Sequence, residues 1–166
     1  MRQPALQGGA RAEENRFKER YKAGDTPWDI GKPDSNLIHT VTTTPIKPCK
    51  ALEIGCGTGD NAIWLAQQNF DVLGIDTSEI AIEKAKEKAS KANVKCAFRV
   101  RDVLASHVEG APFRFAFDRG CFHTFGSGEE RRSFRLTPSH SPPPRRCPVH
   151  SRTRRDGSLL EIAITA

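Results

Sequence analysis

The 166-residue chain lacks three features that would assign it to a class at once: paired cysteines, a leader-like N-terminus and a long apolar run. Its five cysteines are widely spaced and form no Cys-x-x-Cys pair, which argues against a disulfide framework and against a zinc site. The first ten residues contain no apolar stretch of signal-peptide length, and no segment is long enough to span a bilayer. We therefore expect one soluble cytoplasmic domain with reduced thiols, no bound metal and no membrane partner.

Lysine does not occur after Lys95, and beyond that point arginine alone carries the positive charge. The formal net charge of +6 would suit a nucleic-acid partner, but much of it lies in a Ser/Pro/Arg-rich tail over residues 135–166. No aromatic residue interleaves with the arginines of this tail to stack on bases. We predict a disordered tail and no nucleic-acid partner; the alternative is an RNA-binding arm.

Strand-like and helix-like patterns alternate between residues 50 and 117. Short apolar segments predict strands at residues 50–54, 70–75, 94–100 and 113–117, and helical patterns at residues 60–69 and 78–92 separate the first three. Residues 11–22 and 35–43 predict two further helices. This alternation is typical of βαβ units with right-handed crossovers. It predicts an α/β fold, with a Rossmann-like, mostly parallel sheet and flanking helices.

The regular pattern breaks off near residue 134. Residues 133–155 carry no helix or strand period, and only residues 159–165 predict one more strand. The sheet should therefore be incomplete at its C-terminal strands, with an open edge beside the fourth strand. The predicted organisation is a flexible end at 1–10, a domain at 11–134 and the tail at 135–166. Within the domain, an N-terminal lid at about 11–44 precedes a core at about 45–134.

A glycine-rich loop, Glu-Ile-Gly-Cys-Gly-Thr-Gly-Asp at residues 53–60, joins the first predicted strand to the next helix. Glycines at such a turn allow a positive φ and let the backbone approach a ligand closely. Ligands of doubly wound sheets lie at the carboxyl ends of the strands, where this loop is placed. An ordinary turn is the alternative, but the position of the loop and its acidic neighbours favour a ligand loop.

The spacing of the glycines indicates which ligand the loop accepts. A dinucleotide fingerprint, Gly-x-Gly-x-x-Gly, would need glycine at position 60, where the chain has Asp60. Glu53 and Asp60 also place negative charge where a pyrophosphate would be repelled. S-adenosylmethionine (SAM) has no phosphate and carries a sulfonium and an ammonium group, so the acidic flanks favour it. A nicotinamide dinucleotide and an oxidoreductase function remain the minor alternative.

Two further acids follow predicted strands. Asp76 ends the second strand, where an acid either accepts hydrogen bonds from both ribose hydroxyls or caps the next helix. Asp102 follows the third strand and either accepts from an adenine amino group or closes a turn. With the glycine loop upstream, we favour the nucleoside role for both.

Three motifs resemble the class I SAM-dependent methyltransferases. Leu-Glu-Ile-Gly-Cys-Gly-Thr-Gly at residues 52–59 resembles the first motif of that family, and Phe-Asp-Arg-Gly-Cys-Phe-His at 117–123 resembles the segment that leaves the fourth strand. Tyr-Lys-Ala-Gly-Asp-Thr-Pro-Trp-Asp at 21–29 is similar to the opening of the thiopurine S-methyltransferase-like and tellurite-resistance-type subgroup. The resemblance covers about residues 17–134.

The resemblance implies a role for each matching position. The first motif would hold the methionine moiety, the acids after the second and third strands would hold ribose and adenine, and two N-terminal aromatic residues would close the pocket. Asp118 and Arg119 would line its floor near the reacting methyl group. The implied cofactor-binding residues are Tyr21, Trp28, Glu53, Gly55, Cys56, Gly57, Gly59, Asp76, Thr77, Asp102, Val103 and Arg119.

Asp118 and His123 are the candidate catalytic residues. Methyl transfer mainly requires that the two reactants are aligned and that water is excluded. His123 is either the base that an oxygen or nitrogen acceptor would need or a packing residue beside Phe122 and Phe125. We interpret Cys121 as a small buried side chain rather than a nucleophile, because SAM chemistry needs no enzyme thiol.

The sequence therefore predicts a SAM-dependent methyltransferase that acts on a small-molecule acceptor, such as a thiol or another chalcogen nucleophile. A complete class I domain continues beyond residue 134 with a helix, a fifth strand and an antiparallel pair, and here the tail departs from that pattern. The tail is interpreted either as an out-of-frame or replaced segment or as a genuine feature. The alternative functions are a truncated SAM-binding protein without activity and an RNA-associated methyltransferase that uses the basic tail.

Overall fold

The computed structural model describes residues 9–44, 46–104, 108, 113–121, 124, 149–153 and 159–164. None of the helices in this described part has the length and apolar character that a bilayer crossing requires. In chain order, the elements are α1 (Gly9–Ala23), α2 (Ser35–Thr43), β1 (Lys50–Ile54), α3 (Asp60–Gln67), β2 (Asp71–Asp76), α4 (Glu79–Lys91), β3 (Ala97–Val100), β4 (Phe115–Asp118), β5 (Val149–Thr153) and β6 (Leu159–Ile164).

The strands form one sheet in the order β3-β2-β1-β4-β6-β5. The strands β1 to β4 pair in parallel, and Leu52 of β1 lies between Leu73 of β2 and Ala116 of β4. The strand β6 is antiparallel to β4, and β5 is antiparallel to β6. The predicted Rossmann-like, mostly parallel sheet with flanking helices is confirmed.

Two apolar clusters hold the sheet, because successive side chains of a strand face opposite sides. Ala51, Val72 and Phe117 belong to the first cluster, together with Ile63 of α3 and Ile82 of α4. The helices α3 and α4 therefore pack on this side of the sheet. The second cluster consists of Leu52, Ile54, Leu73, Ile75 and Ala116.

Two short polar side chains begin helices of this layer. The side chain of Asp34 accepts a hydrogen bond from the N–H of Asn36 at the start of α2, and Ser78 accepts from Ala81 at the start of α4. Each bond satisfies an N–H group that has no partner within its helix. Asp34 also contacts the functional site, so its capping bond fixes the entry of the chain into α2 beside that site.

The structure corrects three expectations. The helix α1 begins at Gly9, within the end that was expected to be flexible. The strand β5 lies at Val149–Thr153, inside the stretch for which neither a helix nor a strand was predicted. Its pairing with β6 supplies backbone hydrogen bonds that a local side-chain pattern does not reveal. Because β6 pairs with β4, the open edge expected there is covered. The remaining residues of the tail lie outside the described part, so its disorder stays a prediction.

We expect Gly59→Ala to destabilise the protein more than Gly31→Ala. Both glycines have a positive φ, of 85° and 65°, which costs an alanine about 1–2 kcal/mol. A Cβ at Gly59 would also lie 2.8 Å from Phe98 Cζ and 2.9 Å from Ala85 Cβ, whereas Gly31 has nothing within 4 Å. Overpacking of this kind adds roughly 1–3 kcal/mol. Urea unfolding measures both losses, and equal losses would contradict the packing at Gly59.

Candidate functional site

The predicted site residues meet at one edge of the sheet, where the parallel strands β1 to β4 end. Glu53 lies near the end of β1 and the glycine loop (residues 55–59) follows that strand, whereas Asp76 ends β2 and Thr77 follows it. Asp102 and Val103 come after β3, and Asp118 ends β4 and is followed by Arg119. The strand order reverses between β1 and β4, since β2 lies on one side of β1 and β4 on the other. Ligands of open α/β sheets bind at such a reversal.

The N–H groups of the glycine loop are largely engaged within the protein. Cys56 donates to Ile75 O at 2.9 Å, Gly57 donates to Asp76 Oδ2 at 2.9 Å, and Gly59 donates to Cys56 O at 2.9 Å. A loop that binds a pyrophosphate presents its N–H groups to the anion instead. The geometry of this loop therefore favours a ligand without phosphate.

Asp76 fastens the glycine loop to β2 through its carboxylate. One oxygen accepts from Gly57 N and the other from Ser78 N, each at 2.9 Å. Burial raises the pKa of Asp76, and these two N–H groups oppose the rise. A carboxylate oxygen accepts more than one hydrogen bond, so Asp76 retains capacity for the ribose hydroxyls that the sequence predicted.

Tyr21 lies against the glycine loop and is hydrogen-bonded to Trp28, and the role of both residues in closing the pocket stays a prediction. Trp28 Nε1 donates to the Tyr21 hydroxyl at 3.0 Å, and a Cβ at Gly57 would lie 2.9 Å from that hydroxyl. Phe17 packs edge-on against Trp28, and the Arg20 guanidinium lies 4.6 Å from the centre of the Trp28 ring. Only glycine at position 57 therefore lets this aromatic group approach so closely.

The loop between α1 and α2 (residues 24–34, hereafter the lid loop) is held first at Asp29. Thr58 of the glycine loop donates to Asp29 at 2.9 Å. Lys88 of α4 donates to Thr58 at 2.6 Å and lies 2.9 Å from Asp60 and 3.4 Å from Asp29. Burial alone would raise the pKa of Asp29, but the bonds from Thr58 and Lys88 hold that pKa below its ordinary value. We call these four residues the Asp29 anchor.

The Asp29 anchor also changes the electrostatic argument made from the sequence. Asp60 was expected to repel a pyrophosphate, but its carboxylate pairs with Lys88, and this ammonium group offsets its charge. The acidic character of the site therefore depends on Glu53 and Asp76 rather than on Asp60. Lys88 lies 28 residues beyond Asp60, and a sequence pattern gives no signal for such a pairing.

Arg119 holds the other end of the lid loop. Its Nε donates to Asp34 Oδ2 at 2.9 Å, and its Nη1 donates to the carbonyl oxygen of Trp28 at 3.0 Å. The Asp34 N–H donates to Asn61 Oδ1 at 2.7 Å. We call Arg119, Asp34 and Asn61 the Asp34 anchor. Arg119 was predicted to line the pocket floor, and here it joins the end of β4 to the loop that carries Trp28.

Glu53 is the most deeply buried acid of the site, with 1% of its surface exposed. Asn61 Nδ2 donates to Glu53 Oε1 at 2.8 Å, while Oε2 has no hydrogen-bond partner among the described residues. Burial raises the pKa of Glu53 to about 8, and both the Asn61 bond and the nearby backbone N–H of Ala62 oppose the rise. A buried carboxyl oxygen without a donor is costly, and a cationic ligand would lower the pKa of Glu53 and hydrogen-bond to the carboxylate that results.

The turn after β4 contains the remaining candidates. Asp118 Oδ1 accepts from Gly120 N at 2.8 Å and from Cys121 N at 3.1 Å, so this carboxylate shapes the turn. Cys121 packs against Gly55, and burial, Asp118 and Asp76 raise the pKa of its thiol well above the ordinary value. The thiol therefore stays protonated. His123 lies outside the described residues, and the catalytic roles of Asp118 and His123 stay predictions.

Asp102 and Val103 occupy the turn after β3. Asp102 Oδ1 accepts from Leu104 N at 2.8 Å, and Val103 packs on the second apolar cluster. An apolar side chain next to a carboxylate is a suitable border for an adenine ring. Among the described residues, no group of three or more metal-binding side chains lies together.

Two observations show that these residues suit SAM. The N–H groups of the glycine loop already donate to protein acceptors, which disfavours a phosphate ligand. Glu53 retains an unsatisfied oxygen that suits an ammonium group. Sequence reasoning missed Asp29, Asp34, Thr58, Asn61 and Lys88, which act by joining distant segments rather than by forming a local motif.

The methyltransferase domain family matches residues 51–137, just over half of the chain. A protein named probable thiol methyltransferase 2 from Arabidopsis thaliana is 38% identical over 74 residues, which cover 45% of this chain and 33% of that protein. The probable SAM-dependent methyltransferase TehB of Haemophilus influenzae is 33% identical over 64 residues, which cover 39% of this chain and 22% of TehB. The matches thus span a third or less of these curated relatives.

One solved structure shares both sequence and fold with the chain. It is described as "Conversion of a Disulfide Bond into a Thioacetal Group during Echinomycin Biosynthesis" and is 31% identical, with a TM-score of 0.66. The similarity covers 73% of this chain and 53% of that chain. These relatives agree with the resemblance seen in the glycine loop and in residues 21–29.

We expect Glu53→Gln to stabilise the protein increasingly as the pH rises from about 5 to about 8. In that window the unfolded chain releases the Glu53 proton while the folded protein, with its pKa of about 8, retains it, so wild-type stability falls. The difference should grow by at most about 1.4 kcal/mol per pH unit and level off above pH 8. Urea unfolding at a series of pH values measures it. Glu79→Gln, at an exposed acid of α4, is the control, and parallel curves for Glu53→Gln and wild type would contradict the burial of this carboxyl.

Proposed function

Because the chain belongs to the class I SAM-dependent methyltransferases, we propose that it transfers a methyl group from SAM to a small-molecule thiol or another chalcogen nucleophile. The site chemistry supports SAM, and the name of the thiol methyltransferase relative from Arabidopsis thaliana supports the acceptor class. Because the match covers 33% of that relative, the acceptor is a proposal for this chain.

Two features of the site together carry the proposal: the glycine loop offers few free N–H donors to an anion, and a buried acid beside it has an unsatisfied oxygen. The Gly57 N–H is directed to Asp76, whereas Glu53 Oε2 has no donor among the described residues. A ligand that supplies positive charge and hydrogen-bond donors, and brings no phosphate, matches both. In this proposal Glu53 accepts from the cofactor ammonium group, Asp76 from the ribose hydroxyls and Asp102 from adenine.

The protein's contribution to the reaction is alignment and exclusion of water. When bound, SAM supplies an electrophilic methyl group. The two anchors hold the lid loop, so that Tyr21 and Trp28 stay against the glycine loop beside the reacting groups. Fixing two reactants in line lowers a barrier of this type by on the order of 7–11 kcal/mol.

A thiol acceptor suits the described residues because it needs little help from a base. Thiols ionise near neutral pH, and the thiolate is the nucleophile. Asp118 Oδ1 already accepts two backbone N–H groups in the turn after β4, so its arrangement favours shaping the pocket over removing a proton. An oxygen or nitrogen acceptor would need a dedicated base.

We expect Asp76→Ala to weaken binding of SAM and S-adenosylhomocysteine by about a hundred-fold or more. Two charge-assisted hydrogen bonds to ribose hydroxyls, worth roughly 1.5–3 kcal/mol each, would be lost. Calorimetric titration of the full-length chain measures the affinity. Asp71→Ala removes an exposed acid from the other end of β2 and should bind like wild type. Equal affinity in the Asp76 variant would exclude the ribose assignment.

We expect the full-length chain with SAM to methylate small thiols, with a rate that follows the thiolate fraction of the acceptor. Mass spectrometry of a panel of aliphatic and aromatic thiols, measured from pH 6 to 9, tests this. Binding of SAM without transfer to any member would favour the inactive SAM-binding alternative. Binding of a nicotinamide dinucleotide in place of SAM would overturn the proposed cofactor.

A further inference from the structure

Asn61 joins the lid loop to the buried acid of β1. Its Oδ1 accepts the Asp34 N–H at 2.7 Å, and its Nδ2 donates to Glu53 Oε1 at 2.8 Å. Asn61 lies in the first turn of α3 and is 7% exposed, so water does not compete freely for either bond. One buried side-chain amide thus contacts two segments that are distant in the sequence.

The chemistry of the two partners fixes the orientation of this amide. The Asp34 backbone N–H only donates, so it must face the oxygen of Asn61. The amide nitrogen is then directed to Glu53, where its hydrogen satisfies Oε1. If the lid loop left, the amide would lose the bond that sets its orientation.

The orientation of Asn61 determines which oxygen of Glu53 is available. With Oε1 bonded to the amide, Oε2 is the oxygen without a donor among the described residues. The carboxylate is therefore held as an acceptor with one satisfied and one open oxygen. A rotated amide would direct its own oxygen at the carboxylate, and the two acceptors would repel each other.

The position of Asp34 depends in turn on Arg119. The guanidinium donates to the Asp34 carboxylate at 2.9 Å and to the Trp28 carbonyl oxygen at 3.0 Å. The sequence of contacts therefore runs from the end of β4 through the seated lid loop and Asn61 to Glu53 on β1.

We propose that Asn61 is a positioning residue that makes recognition of the cofactor's amino group depend on a seated lid loop. The inference rests on the proposed function, in which Glu53 accepts from that amino group. Asn61 touches no ligand in this proposal. It acts by holding Glu53, and it holds Glu53 correctly only while the Asp34 N–H holds it.

The test compares S-adenosylhomocysteine with its analogue that lacks the α-amino group, by calorimetry on the full-length chain. The dissociation constant of the analogue divided by that of S-adenosylhomocysteine measures recognition of the amino group alone, and a larger ratio means stronger recognition. Wild type should prefer the amino compound by about ten-fold or more. Asn61→Leu, which keeps the branching at Cγ and removes both hydrogen bonds, should lose most of this preference. It should bind the analogue almost as wild type does.

A second pair of variants isolates the N–H of Asp34. Asp34 has φ −69°, which proline adopts without strain, and proline has no N–H. Asp34→Ala and Asp34→Pro both remove the carboxylate that caps α2 and pairs with Arg119, and only Asp34→Pro removes the donor to Asn61. We expect the ratio in Asp34→Pro to fall about three- to ten-fold below that in Asp34→Ala. This pair keeps the inference testable if Asn61→Leu does not fold.

Asp29→Asn is the control, because it weakens the Asp29 anchor while Arg119 still holds Asp34 and the Asp34 N–H still holds Asn61. It should weaken binding of both compounds alike and leave the ratio unchanged. A wild-type preference that persists in Asn61→Leu and is equal in the two Asp34 variants would overturn the inference and leave the proposed function intact. Wild type that binds S-adenosylhomocysteine without any preference for the amino group would overturn the inference and the contact assigned to Glu53, and it would leave methyl transfer from SAM intact. Wild type that binds neither compound would overturn both.

Discussion

The organisation of this protein depends on which acceptors the backbone N–H groups of the glycine loop bind. Donation from Gly57 to Asp76 and from Cys56 to Ile75 ties the end of β1 to the end of β2, and it leaves little donor capacity for an anion. The tight path needs glycines, and the space above Gly57 is filled by the Tyr21 hydroxyl. The same bonds therefore fix the shape of the site, bring the aromatic residues close and select against phosphate.

Local features of this molecule were predictable, and long-range contacts were not. The strands β1 to β4, the glycine loop and Asp76 follow from apolar segments, turn residues and their spacing, which are properties of a few adjacent residues. Arg119 and Asp34 are 85 residues apart, and Thr58 and Lys88 are 30 apart. Their pairing depends on how α3, α4 and β4 are arranged around the sheet. The strand β5 escaped prediction for another reason: its residues, Val149–Thr153, show no alternation of apolar and polar side chains, and backbone pairing with the adjacent β6 defines it.

Glu53 shows how the site departs from the rules that stabilise an ordinary core. A buried carboxyl with one unsatisfied oxygen destabilises the fold, and an apolar residue would pack there at lower cost. Asp76, which is half-buried, is compensated by two backbone N–H groups. Asp76 therefore mainly shapes the loop, whereas Glu53 keeps hydrogen-bonding capacity that is available to a ligand.

The lid loop is fastened at two points, at Asp29 by Lys88 and Thr58, and at Asp34 by Arg119 and Asn61. A compound enclosed beneath a doubly fastened segment escapes only when both fastenings are broken at the same moment. The two fastenings then have different consequences, because the Asp34 anchor also contacts Glu53 through Asn61 whereas the Asp29 anchor does not. Evolution or engineering could thus adjust turnover at Asp29 without altering any group that touches the bound molecule.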